Sequence, residues 1–366
     1  MLNKIDQLFQ RAGIWLLFLL SIKLLSTLLT VFVFTRFTPL VDANLYLSGY
    51  YANEAFLRTR FIQKIVSLLS GFAGALFTHA VFGLISIAGL FFYYVRGGRR
   101  WQFGLLLLLP STLIWTSVIG KESIFFGAFT LALCIWGRFV VRQCTAADYL
   151  LLGVSAMVCG LLRPHYAVVL VWLFVSAAFI HKLKHRALPW LALLAILGGL
   201  FVFIFAWESL LYRGFGGIES GARASRFGVF GIEPGTDAGF VAFKALLPLG
   251  GILGIVGPLP MELIARPVFI PFFIEGVVIL LFPVGVYWYA LRRSFEGKEL
   301  FKSFFWMCLV PAIGALMILH APFGLLNPGS ATRWRVNFEA MFHMAPLLLI
   351  FSFLDRAPRE NHPLSP

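Results

Sequence analysis

The chain has 366 residues, 60% of them hydrophobic and 13% charged, with a formal net charge of +14 and a mean hydropathy of +0.88. That much apolar surface exceeds what a soluble core of this size can hide, which argues against a soluble enzyme. The basic residues are scattered among loops and form no continuous stripe, so no nucleic acid is expected as a partner.

In chain order, the first apolar run is Ile14 to Thr35, preceded by Lys4 and Arg11. It is too long for a signal-peptide core and lacks a small-residue cleavage site, so it is expected to stay as the first transmembrane helix. Residues 56–70 follow, with Leu57, Phe61, Ile65 and Leu68 on one helical face and Arg60 and Lys64 on another, the pattern of a helix lying on a membrane surface. Further spans are expected near 72–95, 102–119, 123–141, 149–162, 166–180, 188–207, 268–290, 303–320 and 340–354. The fold class is therefore all-α, a polytopic helical bundle of about ten spans. Residues 1–354 are read as one transmembrane domain, with long loops at 36–71 and 208–267, and 355–366 as a short tail. Residues 241–260 are apolar enough to span, but an eleventh span would break the charge pattern, so a re-entrant or surface-lying element is expected. The halves show no paired, interrupted spans of the inverted-repeat kind. Cys134, Cys144, Cys159 and Cys308 lie in or beside these runs without metal-ligand spacing, so no disulfide framework is implied.

Orientation follows from the short loops. One set carries Arg96, Arg99 and Arg100; Arg138 and Arg142; Lys182, Lys184 and Arg186; Arg292, Arg293, Lys298 and Lys302; and Arg356 and Arg359. The positive-inside rule puts these loops and both termini in the cytoplasm, and the two long loops outside. A bacterial inner membrane suits this pattern, and an endoplasmic-reticulum protein of the same topology would read alike.

Candidate chemistry gathers on the outer side. VDANLYLSGYY opens the first outer loop with Asp42, a carboxylate that can act as general base toward a hydroxyl or can cap the following helix. Lys121 and Glu122 sit in a tight hairpin turn, facing either the interface or an internal cavity. Arg163 and His165 flank Pro164 between two spans of only about 15 residues, roughly 22 Å of helix against a core near 30 Å, so the turn is expected in a recess where Arg163 needs an anionic partner. NPGSATRWR places Arg333 and Arg335 beside a helix start, a candidate diphosphate clamp or a lipid-headgroup contact. Lys23, near the centre of the first span, is expected to pair with a buried acid or line the cavity. The glycine-rich stretch from Glu208 to Asp237 reads as a flexible loop or a sugar-binding lid.

This layout resembles the GT-C superfamily, polytopic glycosyltransferases that use polyprenyl-phosphate-linked sugars. The likeness covers the whole chain: an inside N-terminus, a first outer loop opening with Asp42 and carrying a surface helix, the acidic Glu122, and the Arg333-Trp334-Arg335 element. PSTLIWTSVIGKES and NPGSATRWR are similar to segments of bacterial members of envelope polysaccharide assembly. The resemblance implies Asp42 as catalytic base with Glu122 as the second acid, and Lys121, Arg163, His165, Arg333 and Arg335 as ligands of the lipid phosphate. It implies inverting transfer from a polyprenyl-linked donor to a glycan or glycolipid acceptor, among membrane lipids and without a soluble nucleotide. Lys121 stands where the family has an acidic pair, which leaves divalent-metal dependence open. With no soluble domain after the last span, substrate recognition is expected to fall to 208–267. A polysaccharide polymerase or ligase, more dependent on arginine, and a lipid-linked sugar flippase or transporter are the alternatives.

Overall fold

The computed structural model describes residues 12–37, 40–52, 56–98, 100–183, 190–191, 193–194, 226–233 and 236–354. Among the described residues there are helices and turns but no strands. Eight helical stretches are long and apolar enough to cross a membrane, and a shorter apolar helix covers Ala146–Leu162. The protein is thus an all-α polytopic membrane bundle. Hydrocarbon cannot hydrogen-bond a bare backbone, so these apolar runs close their bonds within each helix.

Helix α1 (Ala12–Phe32) shows how the bundle is laid out. Trp15, Leu19, Lys23, Ser26, Thr27 and Thr30 are buried, while Leu17, Leu24, Leu25, Leu28 and Phe32 are exposed. Its polar residues face protein and its leucines face outward, the reverse of a helix in water. The short α2 (Val41–Leu47) follows, then α3 (Leu57–Ser86), which breaks at Gly74, where φ is 80°. Only glycine enters that region without strain. The break separates the expected surface segment from the expected span. On the first part, Thr59, Ile62, Gln63 and Val66 pack inward, while Leu57 and Leu68 stay exposed. Helix α4 (Ala88–Val95) completes the segment.

The expected span at 102–119 is not a regular helix. It is a 3₁₀ segment, Trp101–Leu108, an extended Leu109, and α5 (Pro110–Trp115). The residue before a proline is driven out of the α region, so Pro110 breaks the run. Irregular backbone at this depth must be satisfied by neighbours. Ser111 N donates to both Glu275 oxygens at 3.0 and 3.1 Å. Ile119 N donates to His79 Nδ1 at 3.1 Å. Thr27 Oγ1 donates to Ser117 O at 3.1 Å. Lys23 Nζ donates to Thr112 O at 3.4 Å, to Ser117 Oγ at 3.3 Å and to Thr116 Oγ1. The expected acid partner of Lys23 is replaced by hydroxyl and carbonyl oxygens of this broken segment.

Next come α6 (Lys121–Val140), α7 (Ala146–Leu162) and α8 (Pro164–Leu183). The expected span at 188–207 and the tail at 355–366 lie outside the described residues. Helices α9 (Asp237–Ala245), α10 (Leu247–Val256) and α11 (Pro260–Ala265) follow. Helix α10 has only 10 residues, about 15 Å of length. Leu247–Ala265 as a whole nevertheless meets the length and hydropathy of a span. Helix α10 crosses α14 (Val310–Leu326) through glycines: a Cβ on Gly250 would stand 2.5 Å from Ala321 O, and one on Gly324 would stand 2.0 Å from Gly250 O. Small residues let the two backbones touch. The chain ends in α12 (Ile270–Arg292), α13 (Lys298–Phe304), which continues into α14 through a π turn, α15 (Pro328–Arg335) and α16 (Glu339–Leu354). Helices α6 and α16 are the centre of the bundle, buried over 78% and 89% of the spans that contain them.

Candidate functional site

One end of the bundle holds a cavity of about 750 Å³, whose walls include Asp42, Trp115, Glu122, Glu262, Arg333 and Trp334. Five local features build it. Asp42 lies in the first turn of α2, which Gln63 ties to α3 by donating to Tyr46 O at 2.8 Å. Glu122 lies in the first turn of α6. Arg163 is the last residue before Pro164 starts α8. Asn327 caps α15, accepting from Ser330 N at 2.7 Å, and so sets the helix that carries Arg333. Trp115 closes α5 just before the turn to Lys121.

The charged groups form one continuous chain. Asp42 Oδ2 accepts from Arg333 Nη2 at 2.6 Å. Arg333 Nε stands 3.2 Å from Glu122 Oε1. The same Glu122 oxygen accepts from Arg163 Nη2 at 3.0 Å. Each guanidinium lies over an indole, Arg333 over Trp115 at 5.3 Å and Arg163 over Trp334 at 4.8 Å, which holds the fork while its edges point at the carboxylates. Glu122 is 3% exposed, with both neighbours cationic. Such a carboxylate stays ionised and orients its arginines; it is a poor proton acceptor. The Asp42 side chain is 42% exposed and keeps access to the cavity.

Behind Glu122 lies a second ring of cations. Lys121 Nζ donates to Thr59 Oγ1 at 2.9 Å and feels the charges of Arg58, Arg163, Glu122 and Asp42. Arg58, on the surface part of α3, feels Arg163 and Tyr46. His165 packs on Tyr166 at 4.1 Å, and its Nε2 is buried without a hydrogen bond, as is Arg163 Nε. Three cations, Lys121, Arg163 and Arg333, thus face two carboxylates, Asp42 and Glu122, with Arg58 next to Arg163. The surplus suits an anionic ligand. Burial and the two carboxylates push the Tyr46 phenol above its usual range, so it remains a hydroxyl donor beside them.

Of the residues singled out by sequence, Asp42, Glu122 and Arg333 share the cavity wall, and Arg163, Lys121 and His165 stand behind them. Arg163 is 7% exposed between α7 of 17 residues, about 26 Å, and α8 of 20 residues, about 30 Å, so one flanking helix is short and the other is not. Its guanidinium is also covered by Trp334. Arg335 is a correction. Two residues on a helix subtend about 200°, so Arg333 and Arg335 must face opposite ways. Arg335 is fully buried, donating to Glu339 at 2.9 Å, Ser111 Oγ at 2.8 Å, Phe272 O at 3.3 Å, and to Glu275 and Ile255 O. No edge of it is left for a phosphate, so the two arginines cannot act as one clamp. Arg226 is likewise fully buried, held by Gly257 O at 2.8 Å and Glu262 Oε1 at 2.8 Å. It pins 226–233 against α14 and does not swing as part of a lid; 208–225 lie outside the described residues.

Sequence reasoning passed over Arg58, Trp115 as the platform of Arg333, and Glu262. The signal for Arg58 was its place one position past the apolar Leu57 of the surface helix. Nothing local pointed to Glu262. A divalent metal fits poorly: Arg333 occupies the space between Asp42 and Glu122 that a shared cation would need, and among the described residues no group of three His, Cys, Asp or Glu is placed to hold one. No family model, curated protein or solved structure matches the chain.

Proposed function

We propose that the protein is a membrane-embedded glycosyltransferase that takes a polyprenyl-phosphate- or diphosphate-linked sugar into the cavity from the bilayer. The observation that carries this reading is the unbroken chain Asp42–Arg333–Glu122–Arg163, whose first three members share one cavity wall with Arg163 directly behind them. Residues 42, 122, 163 and 333 are far apart in sequence, and cations at and behind a cavity wall beside one accessible carboxylate are what transfer from a phosphorylated donor needs.

In this reading Arg333, Arg163 and Lys121 stabilise the departing phosphate, whose charge grows as the glycosidic bond breaks. Asp42 takes the proton of the attacking hydroxyl as the new bond forms. Incoming phosphate competes with Asp42 for Arg333, and release of that pair frees the carboxylate to act as base. Glu122 is assigned a positioning role. Phe34, Leu40, Val268, Phe269 and Phe272 also line the cavity, an apolar side that suits the lipid tail. The positive-inside pattern places this end away from the cytoplasm, and a bacterial inner membrane is the setting that fits best. A glycan or glycolipid is the acceptor class.

The pairing of both carboxylates with arginine also favours a second reading, a polymerase or ligase that transfers a whole oligosaccharide and relies on arginine alone. Purified protein supplied with polyprenyl-linked sugars, with products separated by mass, decides between them. Loss of transfer in Asp42→Asn with folding intact supports the first. Retained transfer in Asp42→Asn, with loss in Arg333→Gln or Arg163→Gln, supports the second. No product from any donor, with the cavity variants and wild type alike, overturns both.

A further inference from the structure

At the opposite end of the bundle, about 30 Å along α6 from Glu122, an open hollow of about 390 Å³ lies between the ends of α6, α7 and α8. Its walls include Phe139, Arg142, Tyr149, Ala178, His181 and Lys182. We propose that this hollow binds the headgroup of an anionic glycerophospholipid whose acyl chains lie along α7 and α8.

The head end is cationic and acid-free. Arg142 sits in the left-handed region, with φ 57°, a conformation that turns its side chain across the end of α8. There its Nη2 donates to His181 O at 3.0 Å and its Nε to His181 Nδ1 at 3.3 Å. His181 Nε2 in turn faces Phe139 O at 3.1 Å. A carbonyl can only accept, so Nε2 donates to it and Nδ1 accepts from Arg142. The guanidinium is thus fixed in place by a ring nitrogen and a carbonyl, and no carboxylate among the described residues that line the hollow pairs with it. Lys182 adds a second cation at the rim and is exposed, and no acidic side chain among the described residues lines the hollow. The nearest carboxylate on these elements, Asp148, is already held by Arg96 and by Arg138 Nε at 3.2 Å. The Tyr149 hydroxyl supplies a neutral donor at the edge.

The tail end is an exposed apolar face that runs toward the hollow. On α8, Val168, Val171 and Val175 are exposed and run at helical spacing into Ala178 and Lys182. From Val168 to Lys182 is about 21 Å, enough for an acyl chain that crosses half of a core near 30 Å. On α7, Tyr149 and Met157 are exposed, and between them Gly153 has no atom within 4 Å of where a Cβ would stand. The hollow and the apolar faces of α7 and α8 together match a molecule with one phosphodiester and two chains. A soluble oxyanion would use only the first, and a zwitterionic lipid would bring a choline cation toward Arg142 and Lys182.

The full-length protein in neutral detergent tests this with added phosphatidylglycerol, phosphatidylcholine and glycerol 1-phosphate, reading the melting midpoint and the lipids retained in native mass spectrometry. Phosphatidylglycerol is expected to raise the midpoint by several degrees and to be retained, phosphatidylcholine much less, and glycerol 1-phosphate negligibly. Arg142→Gln with Lys182→Gln is expected to remove the difference between the lipids; Arg292→Gln with Arg293→Gln is expected to leave it. Lys182→Gln alone, expected to weaken retention, serves if the double variant does not fold. Equal shifts from both lipids, a full shift from glycerol 1-phosphate, or equal loss in the Arg292/Arg293 variant overturns the site. None of these readouts depends on transfer at the cavity.

Discussion

Arg333 and Arg335 stand two residues apart on one helix, each between two carboxylates, yet they belong to different machines. Arg333 lies between Asp42 and Glu122 at a cavity wall. Arg335 lies between Glu275 and Glu339, with all three side chains fully buried. Around Arg333 cations outnumber acids, so an anion is invited. Around Arg335 acids outnumber the arginine, and Thr112 links this cluster to Lys23: its Oγ1 donates to Glu339 at 2.7 Å and its carbonyl accepts from Lys23 at 3.4 Å. The same residue types serve binding where water and ligand can enter, and fastening where they cannot. The lower cluster joins α5, α12, α15 and α16, and so supports the floor of the cavity above it.

That contrast breaks most visibly at the lower cluster. Arg335→Gln leaves two buried carboxylates without their cation, a change expected to cost about 3–5 kcal/mol; no monodisperse protein should be recovered in detergent chromatography. If the variant instead melts like wild type, the fastening role is wrong. At the cavity, Asp42→Asn should fold normally and reduce transfer by roughly 10²–10⁴-fold, measured as product formed from a polyprenyl-linked donor. Arg333→Gln should depress transfer and, unlike Asp42→Asn, weaken donor binding in an equilibrium assay. Glu122→Gln sharpens the distinction between base and positioner. With Glu122 only orienting its arginines, the pH dependence of transfer should keep its shape while the rate falls about tenfold; a lost acidic limb would reassign the base. Lys23→Met strips donors from the broken α5 segment, and the expected loss is about 1–3 kcal/mol, seen as a lower melting midpoint. The smallest effect belongs to Thr145→Ala. Thr145 caps α7 at the far end, in a reciprocal pair with Asp148, and its loss should cost about 0.5–2 kcal/mol with no change in transfer.

Much of the architecture was readable as runs of apolar residues, because a membrane imposes one secondary structure and a minimum length. A helix before Gly74 was legible from the spacing of 56–70, but the face it packs inward carries Thr59, Ile62, Gln63 and Val66, with Leu57 and Leu68 exposed. The break in 102–119 was also present, in Pro110, but its consequence was hidden: hydropathy counts side chains, and the composition of that segment says nothing of which carbonyls go unpaired. Lys23 illustrates the same blindness, since its midplane charge announced a partner without naming hydroxyls on a different segment.

For the candidate site, sequence determined the inventory: acids and bases near span ends, and a helix start beside Arg333 and Arg335. It even contained the answer for Arg335, because a spacing of two on a helix sends side chains to opposite faces. Tertiary structure decided the rest. Convergence of residues 42, 122, 163 and 333 depends on how helices pack, and packing depends on contacts such as Gly250 against α14 that no linear pattern ranks. Burial then set the roles, since a charge is a ligand for substrate only where the surrounding protein leaves one of its edges uncovered.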